Sequence, residues 1–153
     1  MTQHLDPTKP PHPNPLPQGE GITRSRFKHP RTNRIGGHGS FKKVLDRGVR
    51  SWAGPLGMCI APRVGSVSDA SDAAKSSRLG ISIGRPVGNA VRRNRIKRLL
   101  RESFRLMQHD WPGGYDVVIL VKPHEPKSLA EYQSALTGLV NRCLTKLQSQ
   151  PPA

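Results

Sequence analysis

The chain is short of acidic residues and cysteine. Its 153 residues include ten Asp and Glu against 25 Lys and Arg, and the acids are scattered along the chain. A hydrolytic metal site needs carboxylates held together, so we expect the protein alone to bind no catalytic metal ion or other cofactor. Cys59 and Cys143 have neither a CxxC spacing nor a neighbouring His, which argues against a structural zinc site.

Several sequence signals of other protein classes are also missing. No apolar run approaches the length of a transmembrane helix, and the N-terminus has no apolar signal-peptide core. We therefore expect a cytoplasmic protein with no membrane partner. No Ser-His-Asp set, Cys-His pair or Gly-rich phosphate loop has a supporting context, so nothing indicates a catalytic residue in the chain.

Positive charge is abundant. The net charge is +15, and residues 31–153 alone carry 21 Lys and Arg against eight Asp and Glu, a net +13. The basicity therefore belongs to the main domain, and it predicts a polyanionic partner. A polybasic membrane-surface protein would need no folded core, and the strand-like segments described below argue against that class.

The most informative stretch is residues 84–105, GRPVGNAVRRNRIKRLLRESFR, with eight Lys and Arg and one acid, Glu102. At 3.6 residues per turn its apolar and its cationic side chains separate onto opposite faces of a helix. One face holds Ile96, Leu99, Leu100, Ser103, Phe104 and Met107, and the other holds Asn94, Arg98, Arg101 and Arg105. The planar guanidinium group suits phosphate oxygens, so the second face predicts contact with nucleic acid.

A charged helix face is often no more than a solvated face. Such a face usually mixes both signs and gains from pairs of opposite charge at i,i+4 spacing, whereas this one places like charges three and four residues apart. Repulsion of this kind is destabilising by a few tenths of a kcal/mol per pair. An anionic partner that offsets it is the simpler interpretation.

The proline content divides the chain. Residues 1–30 hold seven of the fifteen prolines and are predicted to be a disordered Pro-rich tail, or an extension that arises from a start codon placed too early. Residues 31–148 are predicted to form the main, nucleic-acid-binding domain, with a mobile loop at 63–77, and residues 149–153 a disordered C-terminus.

Within the domain the pattern predicts helix, strand, strand, helix, strand, helix. The helices are expected at 40–47, 89–108 and 128–147, and the strands at 51–61, 78–83 and 115–123. Ser40 is the expected N-cap of the first helix, while Ser128 and Glu131 form a capping box on the last. This order predicts an α+β fold, an α/β sandwich in which helices pack on a small mixed sheet.

The stretch VGNAVRRNRIKRLLRESFR (87–105) resembles the signature of the bacterial ribonuclease P protein subunit. The segments FKKVLDRG, RLGISIG and GGYDVVILVKP lie where that family has its first helix, a strand before the signature and its last strand. The resemblance covers about residues 31–147. It also implies a left-handed crossover between the parallel strands that flank the Arg-rich helix, opposite to the general rule.

The resemblance implies a function as an endoribonuclease subunit. The protein would bind the catalytic RNA subunit of ribonuclease P and help it remove the 5′ leader of precursor tRNA, while the RNA carries catalysis and the holoenzyme requires Mg²⁺. The residues that would face the RNA subunit are Arg92, Arg93, Asn94, Arg95, Lys97, Arg98, Arg101 and Arg105.

The resemblance also implies a cleft for the single-stranded leader, between the sheet and the first helix. Phe41, Arg85 and Asn89 would line it, because an aromatic ring and cations suit unstacked bases and phosphates. Phe41 is equally well interpreted as a core residue of the short helix. The family often has a second aromatic where this chain has Leu45, so a second stacking residue is not expected here. It also often has Lys or Ser at Gly84 and Lys at Pro86, so the cleft is expected to be less cationic than in the family.

Two other classes share the charge and size of this chain. A ribosomal or other structural RNA-binding protein is the main alternative. A DNA-binding protein is a weaker one, because its recognition helix would present varied base-reading groups rather than mainly phosphate-binding ones.

Overall fold

The computed structural model describes residues 33–63, 76–111 and 113–150, which form three helices and a four-stranded sheet. In chain order the elements are α1 (His38–Arg47), β1 (Val49–Ala53), β2 (Leu56–Pro62), β3 (Arg78–Ile83), a 3₁₀ turn (Arg85–Val87), α2 (Ala90–Met107), β4 (Tyr115–Val121) and α3 (Leu129–Ser149). The predicted tail at 1–30, most of the predicted loop at 63–77 and residues 151–153 lie outside the described residues.

The sheet is mixed and has the strand order β1-β2-β4-β3. β2 pairs antiparallel with both β1 and β4, whereas β3 pairs parallel with β4, and α2 connects these two parallel strands. The predicted α+β class is therefore confirmed. The handedness of the β3–α2–β4 connection stays a prediction from the resemblance.

The predicted strand at 51–61 is wrong in its extent. It is a hairpin, in which β1 and β2 are joined by a tight turn at Gly54 and Pro55. Gly54 has φ 57°, a left-handed conformation that glycine adopts without steric penalty. The turn adds a strand that the predicted order lacks.

The first helix begins earlier than predicted. It starts at His38 with Gly37 at the N-cap, so Ser40 lies within the helix. Gly48 follows the last helical residue, and its backbone N–H donates to the Val44 carbonyl. Close packing requires glycine there, because a Cβ would lie 2.4 Å from the Cys59 Sγ.

Apolar side chains cover both faces of the sheet. On one face α2 and α3 pack over the larger core, which includes Met58, Ile60, Val117 and Ile119 of the central strands. On the other face α1 packs over a smaller cluster that includes Val44, Cys59 and Val118. Burial on both sides explains why β4 is a near-continuous β-branched run.

The helices follow their predicted amphipathic patterns. α2 buries Ile96, Leu100, Ser103 and Phe104, and it begins after Asn89, whose side chain accepts a hydrogen bond from the Arg92 backbone N–H. α3 starts with the predicted capping box: Ser128 Oγ accepts from the Glu131 N–H at 3.2 Å, and Glu131 Oε2 accepts from the Ser128 N–H at 2.8 Å. Local sequence thus sets both helix starts.

Candidate nucleic-acid interface

The outward face of α2 is a row of side chains that the fold leaves in solvent. Ile96 and Leu100 anchor the helix against the core, which turns Asn94, Arg98 and Arg101 away from it. Arg95 is also exposed, while Lys97 is partly buried beside this row. The predicted sorting onto one face is therefore confirmed for Asn94, Arg98 and Arg101, whereas Arg105 is partly buried.

The guanidinium groups of this row have no internal counter-charge. Within residues 33–63, 76–111 and 113–150, neither a hydrogen bond nor an ion pair holds the side chains of Arg95, Arg98 and Arg101. Arg95 and Arg98 border a groove of about 530 Å³, whose walls also include Val91, Asn94 and Leu99. Val91 is 77% exposed, which is high for a branched apolar side chain. The groove thus combines free cations with a small apolar surface.

Arg92 faces the interior of the fold. Its Nη2 donates to the His124 carbonyl at 2.6 Å and lies 2.7 Å from the Glu125 carboxylate. His124 in turn lies 2.8 Å from the Tyr132 hydroxyl through its Nε2. These contacts tie the start of α2 to the β4–α3 connection. That Arg92 contacts RNA stays a prediction, but its guanidinium already has protein partners.

Arg93 and Arg105 also differ from the free row. Arg93 is partly buried, and its Nε is enclosed without a hydrogen-bond partner in the described part of the chain. Arg105 donates from Nε to Glu102 Oε2 at 2.9 Å and forms a second bond through Nη2. The hydrogen bond from Arg105 lowers the pKa of Glu102, so the carboxylate stays charged and offsets one cation of the helix.

The start of α2 depends on a glycine. Gly88 has φ 143°, and a Cβ there would lie 2.7 Å from the Arg92 Cδ. It follows the 3₁₀ turn that carries Arg85, which is exposed. The turn therefore separates Arg85 from the α2 row and places it just beyond the end of β3.

The second predicted surface lies on the sheet face that carries α1. The ring of Phe41 packs on Gly80 of β3 so closely that a Cβ at Gly80 would lie 2.8 Å from the ring atoms Cε1 and Cζ. Phe41 is only partly buried, so it both packs and reaches solvent. Both interpretations of this residue are compatible with that position.

Arg85 and Asn89, the other two residues predicted to bind the leader, follow Gly80 in the chain. Arg85 follows Gly80 by five residues, a span of at most about 17 Å in extended chain. Asn89 is exposed, but its Oδ1 accepts the hydrogen bond that caps α2. The structure thus places Phe41 on the sheet and gives Asn89 a local capping role, while the direct contact of all three with a leader stays a prediction.

Sequence reasoning missed one part of this sheet face. Side chains alternate between the two faces along each strand, so residues that are register partners across the sheet lie on the same face. One such set lies on the α1 side and consists of Trp52, Gly57, Leu120 and Ser82. Trp52 is 42% exposed, and the Nζ of Lys122 lies 4.1 Å from the centroid of its ring. Alternation from Val49 to Trp52 would have indicated this position had β1 been recognised as a separate strand.

The acidic side chains of the described residues are not clustered. Asp116, the buried acid, accepts two hydrogen bonds from Arg78, from Nε at 2.7 Å and from Nη2 at 2.6 Å. In the described ranges no three His, Cys, Asp or Glu residues are grouped as metal ligands would be. Nor is any helix there long and apolar enough to cross a bilayer.

Comparison with known proteins identifies relatives. The Ribonuclease P family profile matches residues 29–144. The ribonuclease P protein component of Desulfovibrio desulfuricans is 33% identical over 115 residues, which cover 75% of this chain and 83% of that protein. That of Oceanobacillus iheyensis is 42% identical over 64 residues, 41% of this chain and 53% of its own length. For several curated relatives, therefore, the chain spans about half of their length.

Solved structures share the fold. The RNase P protein of Thermotoga maritima superimposes with a TM-score of 0.60 at 24% identity, covering 71% of this chain and 96% of that one. The Staphylococcus aureus RNase P protein gives 0.59 at 22% identity, with 72% and 94% coverage.

The fold and the charged helix face define a small α+β protein that carries a row of exposed cations on one helix, a feature typical of nucleic-acid-binding proteins. The chain belongs to the ribonuclease P protein family, a family of RNA-binding proteins in tRNA processing.

Proposed function

We propose that this protein is the protein subunit of ribonuclease P. It binds the catalytic RNA subunit and the 5′ leader of precursor tRNA, and it assists Mg²⁺-dependent endonucleolytic removal of the leader, which forms the mature tRNA 5′ end. The observation that carries this proposal is the row of cations on α2 that lacks any counter-charge in the described chain, within a domain that matches the family.

The α2 row is the proposed contact with the RNA subunit. Arg95, Arg98 and Arg101 are exposed and have no ion-pair partner among the described residues, so they are able to bind phosphates without breaking contacts seen there. Asn94 lies on the same face, and Arg93 and Lys97 flank it on the helix. Arg92 contributes partly by fixing the position of α2, because its bonds to the β4–α3 connection hold the start of that helix.

The α1 side of the sheet is the proposed contact with the leader. The partly exposed ring of Phe41 offers a stacking surface for an unpaired base, and Arg85 offers a phosphate contact beyond β3. Asn89 contributes at the junction of the two surfaces. Leu45 is partly buried in the α1 cluster and offers no second aromatic.

The described part of the chain offers little to Mg²⁺, which prefers carboxylate oxygens that are free to coordinate. Its acids are not grouped as metal ligands would be, and Asp116 and Glu102 are each held by an arginine. We therefore assign no step of the reaction to a metal on the protein. Its contribution is positive charge, which offsets the phosphate repulsion between the catalytic RNA and its substrate.

One assay tests the proposal. Labelled precursor tRNA is incubated with protein, with a bacterial ribonuclease P RNA, or with both, across a series of Mg²⁺ concentrations. We expect no cleavage by protein alone, and leader removal by the mixture at lower Mg²⁺ than the RNA needs by itself.

Two outcomes would contradict the proposal. Specific cleavage by RNA-free protein would place catalytic groups on the chain. An unchanged Mg²⁺ requirement, together with recovery of ribosomal RNA in pull-downs from cell extract, would favour the structural RNA-binding alternative.

A further inference from the structure

Trp52 is an exposed aromatic residue on the proposed leader face that the sequence analysis did not assign. It lies on β1, one of the two edge strands, where α1 does not bury it. Its side chain is 42% exposed, and the chain has only two tryptophans. A large exposed ring on an RNA-binding sheet is a candidate contact for bases.

The indole is held in place before any ligand binds. It lies against Gly57 of β2, because a Cβ at Gly57 would be 2.7–2.8 Å from the ring atoms Cζ3, Cε3 and Cη2. Its backbone carbonyl accepts a hydrogen bond from Arg142 of α3 at 3.1 Å. Glycine therefore allows the ring to lie flat on the neighbouring strand, with its outer side turned to solvent.

Lys122 occupies that outer side. Its ammonium lies 4.1 Å from the ring centroid, and its backbone N–H donates to the Pro55 carbonyl at 2.9 Å. Lys122 is exposed, and no described carboxylate forms an ion pair with it. The pair thus joins a flat ring and an exposed cation, the two groups that single-stranded nucleic-acid sites combine.

A purely structural role for Trp52 is the alternative. The indole would then fill the space that a side chain at Gly57 would otherwise occupy. Such packing needs no cation on the solvent side of the ring, and it would leave the ring without a role in binding. The free ammonium over the exposed ring favours a binding role.

We infer that Trp52 and Lys122 bind a nucleotide of the leader, with the base on the outer face of the indole and its phosphate on the ammonium. Lys122 moves off the ring when the base arrives. This inference rests on the proposed function and extends its leader site to the β1 edge, so that a strand supplies the second aromatic that α1 lacks at Leu45.

Trp52 and Phe41 would contact different nucleotides. The ring of Phe41 packs on Gly80 of β3 and the indole of Trp52 packs on Gly57 of β2, so two strand spacings of about 4.8 Å place the two rings roughly 10 Å apart across the sheet. A leader must cross the sheet to reach both. We therefore expect the contributions of the two residues to appear at different leader lengths.

The test measures leader-dependent affinity, defined as the ratio of the dissociation constants for mature and precursor tRNA in the reconstituted holoenzyme. With a leader of roughly eight nucleotides, Trp52→Leu should reduce this ratio by roughly 5- to 150-fold, as loss of one stacked base implies. Phe41→Leu is the reference for the leader site, and Trp111→Phe is the control on the other sheet face.

A second readout is independent of packing. In a Trp111→Phe background Trp52 is the one indole, and its fluorescence should be quenched by precursor tRNA with the long leader and not by mature tRNA. Lys122→Gln, which leaves the ring in place, should weaken leader-dependent affinity and reduce its salt slope by about one. Lys127→Gln is its matched control and should not change either quantity.

The outcomes separate the two proposals. If Phe41→Leu lowers the ratio while Lys122→Gln and a folded Trp52→Leu leave it unchanged, this inference is overturned and the leader site stands. If none of the variants lowers the ratio, the leader role itself fails. Should Trp52→Leu not fold, absence of both the quench and the Lys122→Gln effect overturns the inference.

Discussion

At the scale of single residues, the contact between Phe41 and Gly80 makes a sharp stability prediction. Gly80→Ala should destabilise the protein by about 1–3 kcal/mol, because the added methyl group would overlap the ring of Phe41, which α1 places directly on this residue. Urea unfolding measures this change. The same substitution should also weaken leader binding, since it displaces the ring.

Gly138 provides the matched control. It lies within α3, and a Cβ there would meet no atom within 4 Å. Gly138→Ala should therefore stabilise the protein by up to about 1 kcal/mol, as helix propensity implies. Equal changes in the free energy of unfolding for the two substitutions would show that the Phe41 ring shifts easily and is not fixed on β3.

Cys143 makes a prediction for the pH dependence of stability. Its thiol is fully buried and donates to the Met58 carbonyl, and burial, with a smaller effect of Cys59, raises its pKa from an ordinary 9.0 to about 11. A raised pKa in the folded state favours the neutral thiol. Its contribution is therefore complete below about pH 9 and is lost as the pH rises towards 11.

We expect the stability difference between the natural protein and Cys143→Ala to shrink by as much as about 2 kcal/mol across this range. Thermal or urea unfolding of both proteins at several pH values measures it, and other titrating groups cancel in the comparison. A difference that stays constant with pH would mean that the thiolate is accommodated in the core.

At the scale of elements, α2 separates binding from stability. Arg98→Ala and Arg101→Ala should each weaken binding to the RNA subunit and lower its salt slope by up to about one, because each removes a phosphate contact. Unfolding should be nearly unchanged, since both side chains are exposed. A normal salt slope in both variants would contradict the assignment of this face.

Arg105→Ala is the control on the same helix. Its charge is already offset by Glu102, so it should change the salt slope less than Arg98→Ala does. An equal or larger effect would mean that RNA takes Arg105 from Glu102.

Arg92 should behave in the opposite way to Arg98. Arg92→Ala removes the bonds that tie α2 to the β4–α3 connection, and we expect it to lower the free energy of unfolding by about 1–2 kcal/mol. Its carboxylate partner Glu125 is 87% exposed, so most of this loss comes from the bond to the His124 carbonyl. Urea unfolding beside Arg98→Ala measures the contrast.

At the scale of the whole molecule, the charge of the domain makes a prediction about salt. Residues 31–153 carry +13, and if this charge lowers the Mg²⁺ requirement of the RNA, monovalent salt should remove the benefit. The Debye length falls from about 10 Å at 0.1 M to about 3 Å at 1 M salt. The gap in Mg²⁺ requirement between RNA alone and holoenzyme should therefore close as salt rises. A gap that persists would indicate a specific structural effect on the RNA.

The sequence by itself determined the positions of the three helices, except for the start of α1, and the character of the central strand. The starts of α2 and α3 follow from local caps at Asn89 and Ser128, and their buried faces follow from helical periodicity. The unbroken apolar run of β4 likewise indicated a strand covered on both faces. These features depend on neighbours in the chain, so a sequence pattern is sufficient to show them.

Only the tertiary structure decided which of the candidate residues are free and what joins them. The bond from Arg92 to the His124 carbonyl spans 32 residues, and the contact between Lys122 and Trp52 depends on two strands that β2 separates. The hairpin that places Trp52 on the α1 side of the sheet lies within what the sequence pattern predicted as a single strand. Such contacts arise from strand pairing and from packing between distant segments, so they cannot be deduced from periodicity along the chain.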